Sequence, residues 1–465
     1  MNARPHERRG PRRLARNTDG AMAVTLAISL LPLAIAAVGA VDLQRGLSAR
    51  SQLQDALDAA TLAAAGAVTP AASPPTAGDD ARLTAAAIPS LDENLGARSD
   101  LRLADASFRF DRGRPGVAIG DAEAELQTIL GGLVLAGRPL RVTAHAEVVR
   151  GAKNLEAALV LDVTGSMSGS KLEALKGAAN DLVRLLVREE QIPYYSKVAL
   201  VPYSAAVNLG SRASEARGEA GTACVAYGCE RFRFISATGE ERTFPASTCV
   251  TERTASNRYT DASYRIAPVG FHYAGGSNGC LASRIVPLSS DRAALTSEIN
   301  GFRAEGSTAG HIGLAWGWYS LAPGFAELWP AARRPAAYDP KRLLKVVVLM
   351  TDGMFNTAYR KGVISEDSQS GSGPARDHIR GDATNGGSFE QALALCEGMK
   401  AQGVLVYAVG FDLARQSPAE AAASRALMGA CASSPDNVYL PESGADLKAA
   451  FHQIGEEISA LRISR

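Results

Sequence analysis

From residue 155 onward the chain alternates near-continuous apolar runs with amphipathic stretches, and few folds accommodate that rhythm. The apolar runs are LEAALVLDV (155–163), KVALVPYSAAV (197–207), KVVVLMTDG (345–353) and GVLVYAVGF (403–411). Their Val, Leu and Ala leave no polar face, as parallel strands covered on both sides require. After the first run, Leu172, Leu175, Ala179, Leu182 and Leu186 recur every three or four residues, the buried face of a helix. DLKAAFHQIGEEI (446–458) supplies a closing helix for the far side. The pattern predicts an α/β fold with a doubly wound, mostly parallel sheet over 151–465.

Two long interruptions break this rhythm. Residues 208–283 form an insertion rich in Gly, Ser, Arg and Tyr that carries Cys224, Cys229, Cys249 and Cys280. The run SRIVPLS that ends it reads as an edge strand beside the second strand. Residues 354–387 form a polar loop immediately after Asp352, and loops this long inside a compact domain are usually functional or disordered.

The other end of the chain is organised differently. Arg4, Arg8, Arg9, Arg12, Arg13 and Arg16 crowd a basic tail (1–20), and AMAVTLAISLLPLAIAAVGAV (21–41) then carries no charge. Twenty-one helical residues span roughly 30 Å, the thickness of a bilayer's hydrocarbon core. Arginines before the span predict a cytoplasmic N-terminus and an exported remainder. A cleaved signal peptide, with Val38-Gly39-Ala40 as the cleavage site, is the competing reading. The apolar run is longer than a signal core and continues as helix, which favours a retained anchor. Residues 42–68 extend that helix, with Leu43, Leu47, Leu53, Leu57, Ala60 and Ala64 as its stripe. A Pro-rich linker (69–80) leads to a small α+β module (81–150), in which Val142, Ala144, Ala146 and Val148 share one strand face. His145 falls on the other face and reads as a surface residue. A formal net charge of +1 gives no electrostatic case for nucleic acid.

The chemistry concentrates where strands end. LVLDVTGSMSGSK (159–171) runs from a buried strand into Asp162, Thr164 and Ser166, and VVVLMTDG ends another strand at Asp352. GSTAGHIGLAWGW (306–318) places Thr308 just before a helix. In open α/β sheets ligands sit beyond the carboxyl ends of the strands. Two carboxylates and three hydroxyls are all hard oxygen donors, which suits Mg²⁺, with Mn²⁺ or Ca²⁺ as alternatives. No general base accompanies them, so the set suggests a metal-bridged contact with a protein rather than hydrolysis. Taken singly, Asp-x-Thr-x-Ser is often only a turn and helix cap.

These segments resemble the metal-ion-dependent adhesion site of von Willebrand factor A domains. The resemblance implies that Asp162, Thr164, Ser166, Thr308 and Asp352 are the metal ligands or their water-mediated partners. Thr164 stands where the motif often has Ser. Taken together, the basic tail, NTDGAMAVTLAISLLPL, GLAWGW and IGEEISALRIS resemble the TadG-like proteins of Tad (Flp) pilus assembly. This implies a non-enzymatic component in a bacterial inner membrane, with one N-terminal span and most of the chain periplasmic or extracellular. Its partner would be pilus machinery or a contacted surface. Related pilin-like proteins have Glu five residues after the processing-site Gly. Here Gly20 is followed by Thr25, so the anchor is expected to stay uncut. An exported enzyme, or a subunit supplying metal to one, is the alternative.

Other signals weigh less. GSMSGSKL lacks phosphate-loop spacing. Gly275-Gly276-Ser277-Asn278-Gly279 has a nucleophile elbow's letters without its strand and helix. His311, Trp316, Trp318 and Trp329 read as structural. In an exported chain the four insertion cysteines are expected to form two disulfides rather than a zinc site, and Cys396 with Cys431 a third.

Overall fold

The computed structural model describes residues 18–68, 75–96, 100–129 apart from 115, 138–149, 153–189, 191–192, 194–218, 229–273 and 275–463. The six N-terminal arginines, linker residues 69–74 and Cys224 lie outside the described residues. The chain divides into two compact units, 1–150 and 151–465, each with its own core.

The first unit opens with α1 (Thr18–Ala67), which contains Pro32. Among the described residues it is the one helix long and apolar enough to cross a membrane. Leu26, Ile28, Leu30 and Leu33 are all more than half exposed. Further along, Ala49, Leu53, Leu57, Ala60 and Ala64 are buried in a core shared with α2 (Ala77–Leu95). The other wall of that core is an antiparallel sheet of β1 (Leu101–Phe110), β2 (Val117–Leu126) and β3 (Leu140–Val149).

Leu43 and Leu47, expected on the buried stripe, are exposed. Leu43 precedes Leu53 by ten residues, which in an α-helix turns the two roughly 80° apart, so the two pairs face different ways. The stretch read as linker also ends earlier than expected. Thr76 N–H donates to Asp79 Oδ2 (2.8 Å) and Asp79 N–H to Thr76 Oγ1 (3.4 Å), a reciprocal cap that starts α2 at Ala77. Gly120 on β2 is needed for closeness, since a Cβ there would lie 2.4 Å from Thr61 Oγ1 of α1. His145 is exposed and its Nδ1 pairs with Asp121 at 2.6 Å.

The second unit begins with β4 (Asn154–Asp162), α3 (Ser170–Leu186) and β5 (Ser196–Tyr203). The insertion holds β6 (Val207–Asn208), α4 (Ala213–Arg217), β7 (Arg231–Ile235), β8 (Glu241–Thr251) and β9 (Gly270–Tyr273). Then come β10 (Val286–Ser289), α5 (Arg292–Asn300), α6 (Gly310–Tyr319) and β11 (Leu343–Thr351). The long loop carries β12 (Tyr359–Arg360) and β13 (Val363–Ile364). The chain ends with α7 (Ser388–Ala401), β14 (Leu405–Gly410), α8 (Pro418–Cys431), β15 (Val438–Tyr439) and α9 (Gly444–Ile463).

The main sheet runs β10-β5-β4-β11-β14-β15. It is mixed: β10 is the antiparallel edge strand that SRIVPLS suggested, and the other pairings are parallel. Side chains of β4 alternate between two cores. Leu155, Ala157, Leu159 and Leu161 pack with α3, α5 and α9, whereas Ala158 and Val160 pack with α6, α7 and α8. Strands buried on both faces account for their unbroken apolar composition.

The insertion forms a small β-structure in which β8 pairs with β6, β7 and β9. Phe232, Phe234, Phe244, Phe271 and Tyr273 from it share a core with Val363 and Ile379 of the 354–387 loop. Cys249–Cys280 ties the insertion's central strand to its exit, closing a 31-residue separation worth roughly 3 to 4 kcal/mol by chain entropy. Cys396–Cys431 joins α7 to α8, and Cys229 is also disulfide-bonded.

A buried ion pair crosses the centre of the sheet. Lys345 Nζ lies 2.6 Å from Glu156 Oε2 and also donates to the carbonyls of Leu321 and Ala336. Burial depresses the Lys345 ammonium pKa, and Glu156 opposes that shift. Removing one partner leaves a buried charge, so Glu156→Ala is expected to cost about 3 to 5 kcal/mol in denaturant unfolding. Glu156→Leu combined with Lys345→Met should cost far less than Glu156→Ala alone.

Candidate metal-binding site

Because β4, β11 and β14 run parallel, their carboxyl ends open on one edge. Asp162 ends β4, Asp352 follows β11, and Asp412 stands two residues beyond β14. Asp162 is fully buried. Its Oδ1 accepts the Thr164 N–H at 2.9 Å, and its Oδ2 accepts hydroxyls from Thr351 (2.8 Å) and Tyr203 (3.2 Å). Burial, and then the charge of Asp352, push the Asp162 carboxyl up to about 6. Burial and the Asp162 charge raise the Tyr203 hydroxyl well above its usual value, so it stays a donor.

Thr164 and Ser166 occupy the turn before α3, with their hydroxyls 2.9 Å apart. The Ser166 hydroxyl donates to Asp352 Oδ1 at 2.7 Å. Asp162, Thr164, Ser166 and Asp352 therefore form one connected set. Thr308 arrives on a separate loop pinned to that turn. Gly165 N–H donates to Gly306 C=O, Glu305 N–H to Val163 C=O, and Ala309 N–H to Ser204 C=O. Gly306 has φ +75°, a conformation that favours glycine. Thr308 itself is held by Asn356, whose Oδ1 accepts its N–H at 2.9 Å and whose own N–H donates to its carbonyl.

The two interruptions clamp the same loop. Ser307 N–H donates to Asn278 Oδ1, and the Ser307 hydroxyl donates to Gly371 C=O. Asn278 also reaches Ser372 C=O, so insertion and long loop meet over the Thr308 turn. Phe355 covers Gly310 at the start of α6 so closely that a Cβ there would sit 2.0 Å from its ring.

Two residues missed in the sequence complete the electrostatics. Lys171 Nζ lies 3.0 Å from Asp352 Oδ2 and 3.1 Å from Asp412 Oδ2. Burial opposes its charge, but Asp352 and then Asp412 outweigh burial and raise its pKa. Asp412 has φ +53°, unusual for a side-chain-bearing residue, and its N–H donates to Pro441 C=O. The signal was in the sequence: GVLVYAVGF-Asp412 puts a carboxylate after a strand much as VVVLMT-Asp352 does.

Among the described residues no group of three or more His, Cys, Asp or Glu could hold a metal ion. A cation at this edge would rely on carboxylate, hydroxyl and water oxygens, a donor set that fits Mg²⁺ and not a softer metal. The raised Asp162 carboxyl points the same way, because an added cation would relieve its repulsion with Asp352.

Of the discounted signals, Asn278 clamps the Thr308 loop and GSMSGSKL supplies Ser166 and Lys171, whereas the tryptophans take no part in the site. Trp316, Trp318 and Trp329 are core residues. His311 is buried, its ring nitrogens lack hydrogen bonds, and Nε2 stands 3.8 Å from Glu252. Gly275 and Asn278 bridge a tight turn with no helix after it.

Residues 20–67 match the family model described as putative Flp pilus-assembly TadE/G-like. No curated protein matches the chain. Similar solved structures include the pilus adhesin SpaC from Lactobacillus rhamnosus GG, 15% identical, covering 77% of this chain and 34% of that one at TM-score 0.36. The vWF domain of the type V pili tip protein Mfa5 from Porphyromonas gingivalis is 11% identical, covering 68% and 97% at TM-score 0.36. The PilB minor pilin from Streptococcus sanguinis is 12% identical, covering 79% and 80% at TM-score 0.35. The chain spans about a third of the length of SpaC.

A folded-state carboxyl raised to about 6 binds a proton that the unfolded chain has released, so it costs stability as pH rises from about 4 through 6. In chelator-treated protein, wild type should lose about 2 to 3 kcal/mol relative to Asp162→Asn between pH 4 and 7, read from denaturant unfolding at each pH. A stability difference that stays flat over that range would contradict this assignment.

Proposed function

We propose that this chain is a membrane-anchored envelope component of Tad/Flp pilus assembly. On this reading the second unit is a doubly wound von Willebrand A-type domain that binds a divalent cation and, through it, a protein partner. The connected oxygen set at the sheet's carboxyl edge carries the reading: Asp162, Thr164, Ser166 and Asp352 share hydrogen bonds while the Thr308 loop is pinned beside them. The TadE/G-like match over 20–67 and the exposed apolar half of α1 support the pilus and membrane parts.

Asp162, Thr164, Ser166, Thr308 and Asp352 would hold Mg²⁺ directly or through water. The ion would supply a Lewis-acidic position that a partner's carboxylate can fill. Asp162 is locked by three donors and acts as a fixed anchor for the turn. Ser166 bridges the two carboxylate-bearing loops through its hydrogen bond to Asp352. The basic group beside the set, Lys171, is committed to ion pairs with Asp352 and Asp412, which suits adhesion or assembly better than general-base hydrolysis. The paired insertion and long loop would shape the partner's footprint. With α1 retained as an anchor in a bacterial inner membrane, this domain would lie outside the cytoplasm.

Wild-type protein in chelator should gain thermal stability when Mg²⁺ is added, by about 2.7 kcal/mol at a hundredfold excess over the dissociation constant. Asp162→Ala should abolish that increment. In a strain lacking the gene, wild type but not Asp162→Ala should restore surface filaments or attachment, seen by electron microscopy. Normal filaments and attachment in the deletion strain would remove the pilus reading. A melting temperature indifferent to Mg²⁺, Mn²⁺ and Ca²⁺ would remove the metal reading.

A further inference from the structure

The charge balance of the candidate site includes a cation supplied by the protein itself. Lys171 projects from the first turn of α3 and sits between Asp352 and Asp412, at 3.0 and 3.1 Å. Asp352 is almost fully buried, and its Oδ1 already accepts the Ser166 hydroxyl, so the ammonium is the full positive charge on its Oδ2. Asp412 is less buried and lies on a left-handed turn anchored to Pro441. The Lys171 Nζ also lies 5.8 Å from the Phe411 ring centroid, a second contact on the Asp412 side.

We propose that Lys171 is a built-in competitor for the divalent cation, shared between Asp352 and Asp412, and that metal loading moves its charge from Asp352 onto Asp412. This rests on the metal-binding reading given above. Two positive charges cannot both press on one buried carboxylate without mutual repulsion, which at short range in a partly buried site is large. The ion needs Asp352. Lys171 has an alternative carboxylate and a long, flexible stem, so it is the group that yields. Asp412 is therefore a positioning residue that sets how readily the lysine withdraws. The device sets a threshold: without the ion the lysine keeps the edge neutral and ordered, and only a sufficient cation concentration displaces it. Because Lys171 lies in the first turn of α3, its shift also gives that helix a contact that differs between the two states.

The test uses full-length protein in detergent, with Mg²⁺ titrated against the melting temperature and against heat of binding for wild type, Lys171→Met and Asp412→Asn. Lys171→Met should melt lower than wild type in chelator yet bind Mg²⁺ at least about ten-fold more tightly, because its competitor is gone. Asp412→Asn should bind Mg²⁺ several-fold more weakly, because the lysine then leans on Asp352 alone. Opposite shifts in affinity from the two ends of one ion pair are not what a purely structural bridge gives. If Lys171→Met melts without cooperativity in chelator, recovery of cooperative melting at lower Mg²⁺ than the wild-type midpoint reads the same effect. If wild type responds to Mg²⁺ but both variants bind it equally or both more weakly, the competitor role is overturned and the metal site stands. If wild type does not respond at all, the metal reading fails, and this one fails with it.

Discussion

A carboxylate with no exposure to water has to be answered by the protein around it, and at Asp162 nearly every neighbour does so. Thr164 gives a backbone N–H, and Thr351 and Tyr203 give hydroxyls. What they cannot cancel is Asp352, whose charge adds to burial in lifting the Asp162 carboxyl. The local structure follows from that tension. The Thr164 and Ser166 hydroxyls thread between the two acids, and Lys171 comes in from the following helix to neutralise the second. In the structure Lys171 is the cation that answers the charge of this edge.

The sheet makes the edge possible. Parallel strands buried on both faces are stiff, and they deliver their chain ends side by side, so residues far apart in sequence become neighbours. Ser166 and Asp352 are 186 residues apart and 2.7 Å from each other. The insertion and the long loop then close over the third element, the Thr308 turn, through Asn278, Gly371 and Asn356. They can do so because they share an aromatic core of their own. Two segments that look like separate excursions thus act as one cap, and Cys249–Cys280 braces the insertion's share of it.

Alternation told most where it was strict. The Val and Leu runs mark the four central strands, because a doubly covered strand tolerates almost nothing polar, and the shorter, more polar SRIVPLS marks an edge strand. The period-two pattern of RFRF (231–234) also marks a strand, inside a segment whose Gly, Ser and Arg content suggests loop. Leu43 and Leu47 were misplaced for a different reason. Four-residue spacing was kept within each pair while the phase between the pairs was lost. The cap that starts α2 was visible as Thr76-x-x-Asp79 and was hidden by the prolines around it.

By itself the sequence determined the α/β character of the second unit, the apolar N-terminal helix and the carboxylates and hydroxyls that stand where strands end. Those follow from periodicity and from residue chemistry, which are local. Only the tertiary structure decided that Lys171 and Asp412 meet Asp352, that Asn356 holds Thr308, that Glu156 pairs with Lys345 inside the sheet, and that the two interruptions form one cap. Each of these is a contact between residues whose separation along the chain is erased by packing. No local pattern records it, because the charge or side chain on one segment says nothing about which distant segment will be folded against it.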